Sequence, residues 1–251
     1  MLAKFLIRKL FLLLTLIITV SFDSNNEKLP PPRENKVLIF SKTNGYRHQS
    51  IPAGIEAIKK LGEQNGFDVF ATEDSTYFTP DNLKQYKAII FLSPTGEVLG
   101  EEQQNAMQAY IRKGGGFVGI HAATDCGYKW PWYIKLVGAS FDSHPKQQKA
   151  KLVVVNKKFI ATKGLPDIWE RFDEWYNFKN MNPDVKVLVK IDESSYTGGK
   201  NGANHPMVWY HNFEGGRAFY TELGHTSESY TDSLFLGHLL GGIKYAMHVK
   251  K

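Results

Sequence analysis

Gly114–Asp125 reads GGGFVGIHAATD: a turn, a buried strand and a sharp exit follow one another without a spacer. The glycine run ends a preceding helix and opens the turn, because glycine alone takes a positive φ without steric cost. Phe117 to Ile120 is a short apolar run, the mark of a strand covered on both faces. Ala122 and Ala123 are small enough for a tight strand-to-helix corner. His121 and Asp125 are then delivered to the carboxyl end of a parallel strand, where open α/β sheets place their ligands.

The flanking segments supply the rest of such a sheet. Val37–Phe40 and Ala88–Leu92 are apolar strands, and Asp68–Thr72 is a third. Helices are expected over Ala53–Gln64, after the start signals Ser50 and Pro52, over Thr79–Leu83 and over Glu101–Lys113. Together these give β-α-β-α-β-α-β, the order of a doubly wound, mostly parallel sheet with helices on both faces. The second half is less regular. A short helix is expected over Trp130–Val137 and a loop over Ala139–Pro145. Strands follow at Lys151–Val155 and Val185–Ile191. Pro206–Tyr210 and Arg217–Thr221 pair around Glu214-Gly215-Gly216, and a closing helix runs from Asp232 to Met247.

The chain has 251 residues, room for one sizeable domain. Residues 1–21 read as a secretory signal peptide: Lys4, Arg8 and Lys9 precede an apolar run from Leu10 to Val20, with small residues Thr19 and Ser21 before a cut at Phe22. The alternative is an uncleaved N-terminal anchor, the only membrane association the sequence suggests. Residues 22–35 are polar and proline-rich, a tether to a domain spanning 36–251. Export implies a secreted or periplasmic protein. It also removes three positive charges and no acidic residue, so the formal charge of +6 falls to +3, with no Lys/Arg stripe to hold nucleic acid. The single cysteine, Cys126, cannot form an internal disulfide.

Several motifs fall in a specific order: Gly45-Tyr46-Arg47-His48, Gly115 to His121, Phe141 with His144-Pro145, Asp173-Glu174-Trp175-Tyr176, His205 to Trp209, and Gly216-Arg217 through Tyr220-Thr221 to Gly224-His225. In these the chain resembles the ThuA-like (trehalose-utilisation) proteins from about Lys36 to Met247. The resemblance implies a flavodoxin-like domain similar to the class I glutamine amidotransferases, and a link to disaccharides and oxidised (3-keto) sugars. Those amidotransferases carry Gly-Ile-Cys-x-Gly at the strand-to-helix elbow. Here the matching residues are Gly119-Ile120-His121-Ala122-Ala123, and Cys126 lies five positions further on. With no thiol at the corner, glutaminase chemistry lacks its nucleophile.

His48, His121, His144 and His225 lie on loops expected to open on one rim, while the placement of His205 is left open. Imidazole suits both proton transfer near neutral pH and metal ligation. Three readings compete. In the first, His121, Asp125, Glu174 and His225 act on a small carbohydrate as acids and bases, in a sugar hydrolase, lyase or isomerase. Tyr46, Arg47, His48, His144 and Asp173 hold the substrate, and Trp175, with Trp130 and Trp132, stacks on the sugar ring. In the second, the histidines bind a divalent metal, although no short H-x-x-x-H spacing supports it. In the third, the protein binds sugar without turning it over. Phe172 and Trp175 are expected to desolvate Asp173-Glu174 and raise their pKa. His211 and His238 are read as structural. The cofactor, the metal and the oligomeric state stay open at this level.

Overall fold

The structure is a computed structural model that describes residues 34–249. The signal peptide read at residues 1–21, and the tether as far as residue 33, lie outside the described residues. The described chain runs β1 (Lys36–Phe40), α1 (Ile51–Asn65), β2 (Asp68–Thr72), α2 (Pro80–Leu83), β3 (Ala88–Leu92), α3 (Glu101–Arg112), β4 (Gly116–Ile120), α4 (Pro131–Val137), β5 (Ser140–Ser143), β6 (Gln148–Val154), β7 (Ile168–Asp173), β8 (Asn177–Lys179), β9 (Lys186–Asp192), β10 (Pro206–Phe213), β11 (Gly216–Thr221) and α5 (Ser233–Ala246).

One sheet of nine strands has the order β2-β1-β3-β4-β11-β10-β9-β6-β7. Strands β2, β1, β3, β4 and β11 are mutually parallel. Their residues are apolar without alternation because both faces are covered: β3 and β4 are buried throughout. Phe91 and Phe117 pack on Tyr133 of α4. On the other face α5 crosses behind β11, where Phe219 and His238 meet with ring centroids 5.5 Å apart. The strand order 2-1-3-4, with β11 added beyond β4, is the flavodoxin-like arrangement expected from the sequence. Gly114 ends α3 at φ +94°, the conformation the glycine run was expected to supply.

The sheet then continues as an antiparallel meander, β11-β10-β9-β6-β7. Two segments here differ from the sequence reading. β7 alternates exposed and buried positions, but its pattern is inverted: Ile168 and Phe172 face solvent, whereas Arg171 and Asp173 point inward. A search for apolar alternation therefore misses it. Part of the loop expected over Ala139–Pro145 is strand β5, which pairs antiparallel with β8 in a separate two-stranded ribbon. Its partner is remote in sequence, so no hairpin signal announces it.

Candidate active site

Three strand exits and one long loop converge on a single spot. β4 ends at Ile120, and His121 turns the chain at φ +49°. A non-glycine residue in this region is strained by about 1–2 kcal/mol and persists only where its surroundings fix it. Here Tyr220 Oη donates to the His121 carbonyl at 2.8 Å, and Tyr133 Oη donates to that of Ala123 at 2.7 Å. The corner is a tight elbow between β4 and the turn His121–Thr124, with an imidazole at its apex. Cys126 is buried, and burial pushes its thiol pKa up, so it supplies no substitute nucleophile.

β11 leaves the sheet beside β4 and continues as Glu222-Leu223-Gly224-His225. His225 Nδ1 reaches His121 Nε2 at 3.0 Å. β7 contributes Asp173 and, just beyond it, Glu174. Glu174 Oε2 lies 3.1 Å from His225 Nδ1 and 3.5 Å from His121 Nε2, and its Oε1 lies 3.1 Å from His144 Nδ1. The loop after β1 brings in His48, whose ring stands edge-on to those of His121 and His225 at 4.7 and 5.1 Å. Ser50, expected only as a helix start, instead donates its hydroxyl to the Gly224 carbonyl at 3.1 Å, tying this loop to the His225 loop.

The side chains behind these residues fix their orientation. His121 Nδ1 meets the Glu222 carbonyl at 2.8 Å, with the Glu222 carboxylate at 3.7 Å, and Tyr176 lies over the imidazole at 4.4 Å between centroids. Asp173 accepts the backbone N–H groups of Gly224 and His225, both at 3.2 Å. Gly224 itself sits at φ +109°, and a Cβ there would come 2.8 Å from the Tyr230 hydroxyl. Arg171 lies 3.7 Å from Asp173 and also pairs with Asp232 at the start of α5, which locks the loop between them.

The charges follow from these contacts. Burial opposes protonation of His121, but Glu174 and Glu222 outweigh it and lift its pKa to about 10. Burial together with the neighbouring His121 and His225 drives His48 far below its ordinary value. Burial raises Glu222 to about 7. Glu174 behaves opposite to the sequence expectation. Burial does push its pKa up, but His121 and His225 hold it well below the usual carboxylate range, and the expected desolvating neighbour Phe172 points into solvent.

His48, His121, Glu174 and His225 therefore come together, with His144 against the outer oxygen of Glu174. Asp125 lies half-buried nearby. Burial raises its pKa, and it accepts the Tyr128 hydroxyl at 2.5 Å. Tyr46 is exposed beside His48, with centroids 4.9 Å apart. Three expected substrate contacts take other places. Arg47 is held in a two-pronged pair with Glu73, at 2.6 and 3.1 Å. Asp173 is fully buried and occupied by backbone amides. Trp175 is fully buried, its Nε1 donating to the Gln148 carbonyl at 2.9 Å, so it has no face for a sugar. Trp130 is buried too, and Trp132 bonds Glu214 in the turn before β11, at the far end of that strand from His225.

His205, left open by the sequence, is buried between Glu193 at 2.8 Å and the Tyr176 carbonyl at 2.7 Å. Sequence reasoning missed Glu222, Gln147 and Tyr176. Glu222 carried a signal, being a carboxylate directly at the exit of a buried strand, between Thr221 and Leu223. Gln147 carried none; its amide reaches His225 Nε2 at 2.7 Å from an ordinary polar run.

The sequence profile of the family described as ThuA, trehalose utilisation, matches residues 36–246. Comparison with curated proteins returned no match. Among solved structures, a ThuA-like protein of Bacteroides uniformis is 26% identical, covering 88% of this chain and 94% of its own, with a TM-score of 0.73. One from Parabacteroides merdae is 22% identical, covering 88% and 92%, also with a TM-score of 0.73. A β-galactosidase from Rahnella sp. R3 shares only the fold over part of its length: 15% identity, 87% of this chain, 32% of that one, TM-score 0.59.

Proposed function

The chain belongs to the ThuA (trehalose utilisation) family, and from that premise we propose that it is an exported enzyme acting on a disaccharide or keto-glycoside at the His121–Glu174–His225 cluster. The observation that carries this reading is the convergence of imidazoles and a carboxylate, at 3.0 to 3.5 Å, on the carboxyl ends of β4, β11 and β7. The exposed rings of Tyr46 and Tyr128 flank the cluster with faces suited to a sugar ring.

A carbonyl on the sugar makes the adjacent C–H acidic. Asp125 is the base in this reading, because burial raises its proton affinity and Tyr128 orients it. It takes the proton from the carbon beside the carbonyl, and the electron pair moves toward the carbonyl oxygen, which faces the imidazole cluster. Collapse of that enolate expels the glycosidic oxygen on the next carbon, which takes a proton from His144 at the rim. No nucleophile is required, consistent with the missing thiol.

The test is a panel of unmodified and 3-keto disaccharides followed for product release. Turnover lowered at least about 100-fold in Asp125→Asn, with KM little changed, is the expected result. Saturable sugar binding without product would instead make this a carbohydrate-binding protein. Product formation at the wild-type rate by Asp125→Asn would remove that residue from the mechanism.

A further inference from the structure

We infer that His121, Glu174 and His225, completed by His48, form a binding site for a divalent transition-metal ion of the zinc class. The inference uses the residues of the proposed sugar site but does not depend on what substrate that site takes.

The first argument is geometric. Each of the four side chains offers one ligand-capable atom, and these atoms all lie within 4.8 Å of one another. The tightest three form a triangle with edges of 3.0, 3.1 and 3.5 Å: His121 Nε2 to His225 Nδ1, His225 Nδ1 to Glu174 Oε2, and Glu174 Oε2 to His121 Nε2. A tetrahedral ion with nitrogen and oxygen ligands at about 2.0–2.1 Å needs ligand-to-ligand edges of about 3.3 Å. The triangle already has the size of one face of that tetrahedron.

The second argument concerns tautomers. The Glu222 carbonyl can only accept, so His121 carries its proton on Nδ1 when neutral and turns the Nε2 lone pair into the cluster. The Gln147 amide nitrogen reaches His225 Nε2 at 2.7 Å and donates to it, so a neutral His225 carries its proton on Nδ1, toward His121 and Glu174. That one proton is shared among the His121 Nε2 lone pair, His225 Nδ1 and the Glu174 oxygen; a cation that displaces it would be ligated by all three.

The third observation is independent of these. His48 is only 4% exposed, and its Nδ1 has no hydrogen-bond partner among the described residues. The other buried histidines outside the cluster, His205, His211 and His238, each find a backbone carbonyl. A buried imidazole that faces two others and lacks a carbonyl of its own is matched to a ligand held between them. Three imidazoles with one carboxylate suit zinc, cobalt or nickel rather than calcium or magnesium, which prefer all-oxygen sets. When bound, such an ion would polarise a carbonyl or acidify a water molecule at any open position.

The experiment uses the full chain purified without a histidine tag, stripped with chelator, and titrated with zinc chloride and then cobalt chloride. Readouts are elemental analysis, calorimetry, thermal unfolding and the visible spectrum of the cobalt form. We expect one equivalent of metal per chain, a raised Tm and the visible absorption of a cobalt ion with nitrogen ligands. His225→Ala is expected to weaken binding at least about 100-fold, and His48→Ala less. His238→Gln, outside the cluster, is the control and is expected to bind as the wild type does. Since His121 is fully buried, the His225 and Glu174→Gln variants carry the test if His121→Ala does not fold. A folded wild type that takes up no stoichiometric zinc or cobalt, or a His225→Ala variant that binds as tightly as wild type, overturns the inference. None of these readouts involves a sugar, so failure of the proposed enzymatic function leaves this test intact, and the reverse also holds.

Discussion

His121 and His238 are both fully buried imidazoles beside β11, yet they carry opposite charge tendencies. His238 lies in α5, with Nδ1 on the Ala161 carbonyl at 2.8 Å and Nε2 at 3.1 Å from the Thr221 hydroxyl. Burial dominates there, and its pKa falls to about 4. His121 suffers the same burial, but Glu174 and Glu222 stand against it and its pKa rises to about 10. Burial alone does not set the state of a histidine. A neutral carbonyl leaves the desolvation cost dominant, whereas carboxylates reverse it. His238 is therefore an internal brace, while His121 sits in the cluster proposed above as the reactive and ion-holding centre.

Removing the carboxylate that separates the two cases should have the largest effect. Glu174→Gln is expected to lower turnover of any sugar substrate by about 100-fold or more while the protein stays folded, as steady-state kinetics with circular dichroism would show. Unchanged kinetics would mean that the cluster and the brace do not differ in function.

The brace is tested by pH. His238 is neutral in the fold, with a pKa of about 4 against an ordinary value of 6.5. The unfolded chain binds the extra proton first, so the native state loses stability as pH falls from 6.5 to about 4, by about 3 kcal/mol in total. Above pH 6.5 this loss is absent. Denaturant titrations of wild type and His238→Gln across that range should differ in slope, and parallel curves would contradict the assignment. The arrangement behind the cluster gives a smaller effect. Asp173→Asn should loosen the Gly224 and His225 amides and weaken metal affinity or turnover about tenfold. The smallest expected change is at Arg47, whose exposed pair with Glu73 should contribute under about 1 kcal/mol to stability. Arg47→Ala should leave Tm nearly unchanged, and a large loss of sugar affinity in that variant would return Arg47 to the substrate contacts the sequence suggested.

The parallel half of the sheet was legible because buried strands are written as unbroken apolar runs, and the glycines at 114–116 mark the turn into β4. His121 and His225 were legible for the same reason, since they sit where such runs stop. The antiparallel half was harder. β7 points Arg171 and Asp173 inward, and β5 depends on a distant partner. Trp175 misled because an aromatic residue beside two acids reads alike whether it lines a cleft or fills the core. The Asp173–Glu174 pair splits in the fold: one carboxylate holds the backbone and its neighbour faces the histidines. Adjacent residues at a strand end point to opposite sides, so sequence adjacency concealed two different jobs.

The position of β11 bears on how the molecule comes into being. This strand lies at the middle of the sheet but comes near the end of the chain, and 101 residues separate His121 from the Glu222 carbonyl that orients it. On the ribosome, β1 to β4 can emerge and pair while the place beside β4 is still empty. His225, the final member of the cluster, is made after all the others. A chain cut before Gly216 thus lacks both β11 and His225, however well its first half is folded. Pairing strands so distant in sequence raises the contact order of the fold, and slower refolding than in a sheet of local hairpins is the expected consequence.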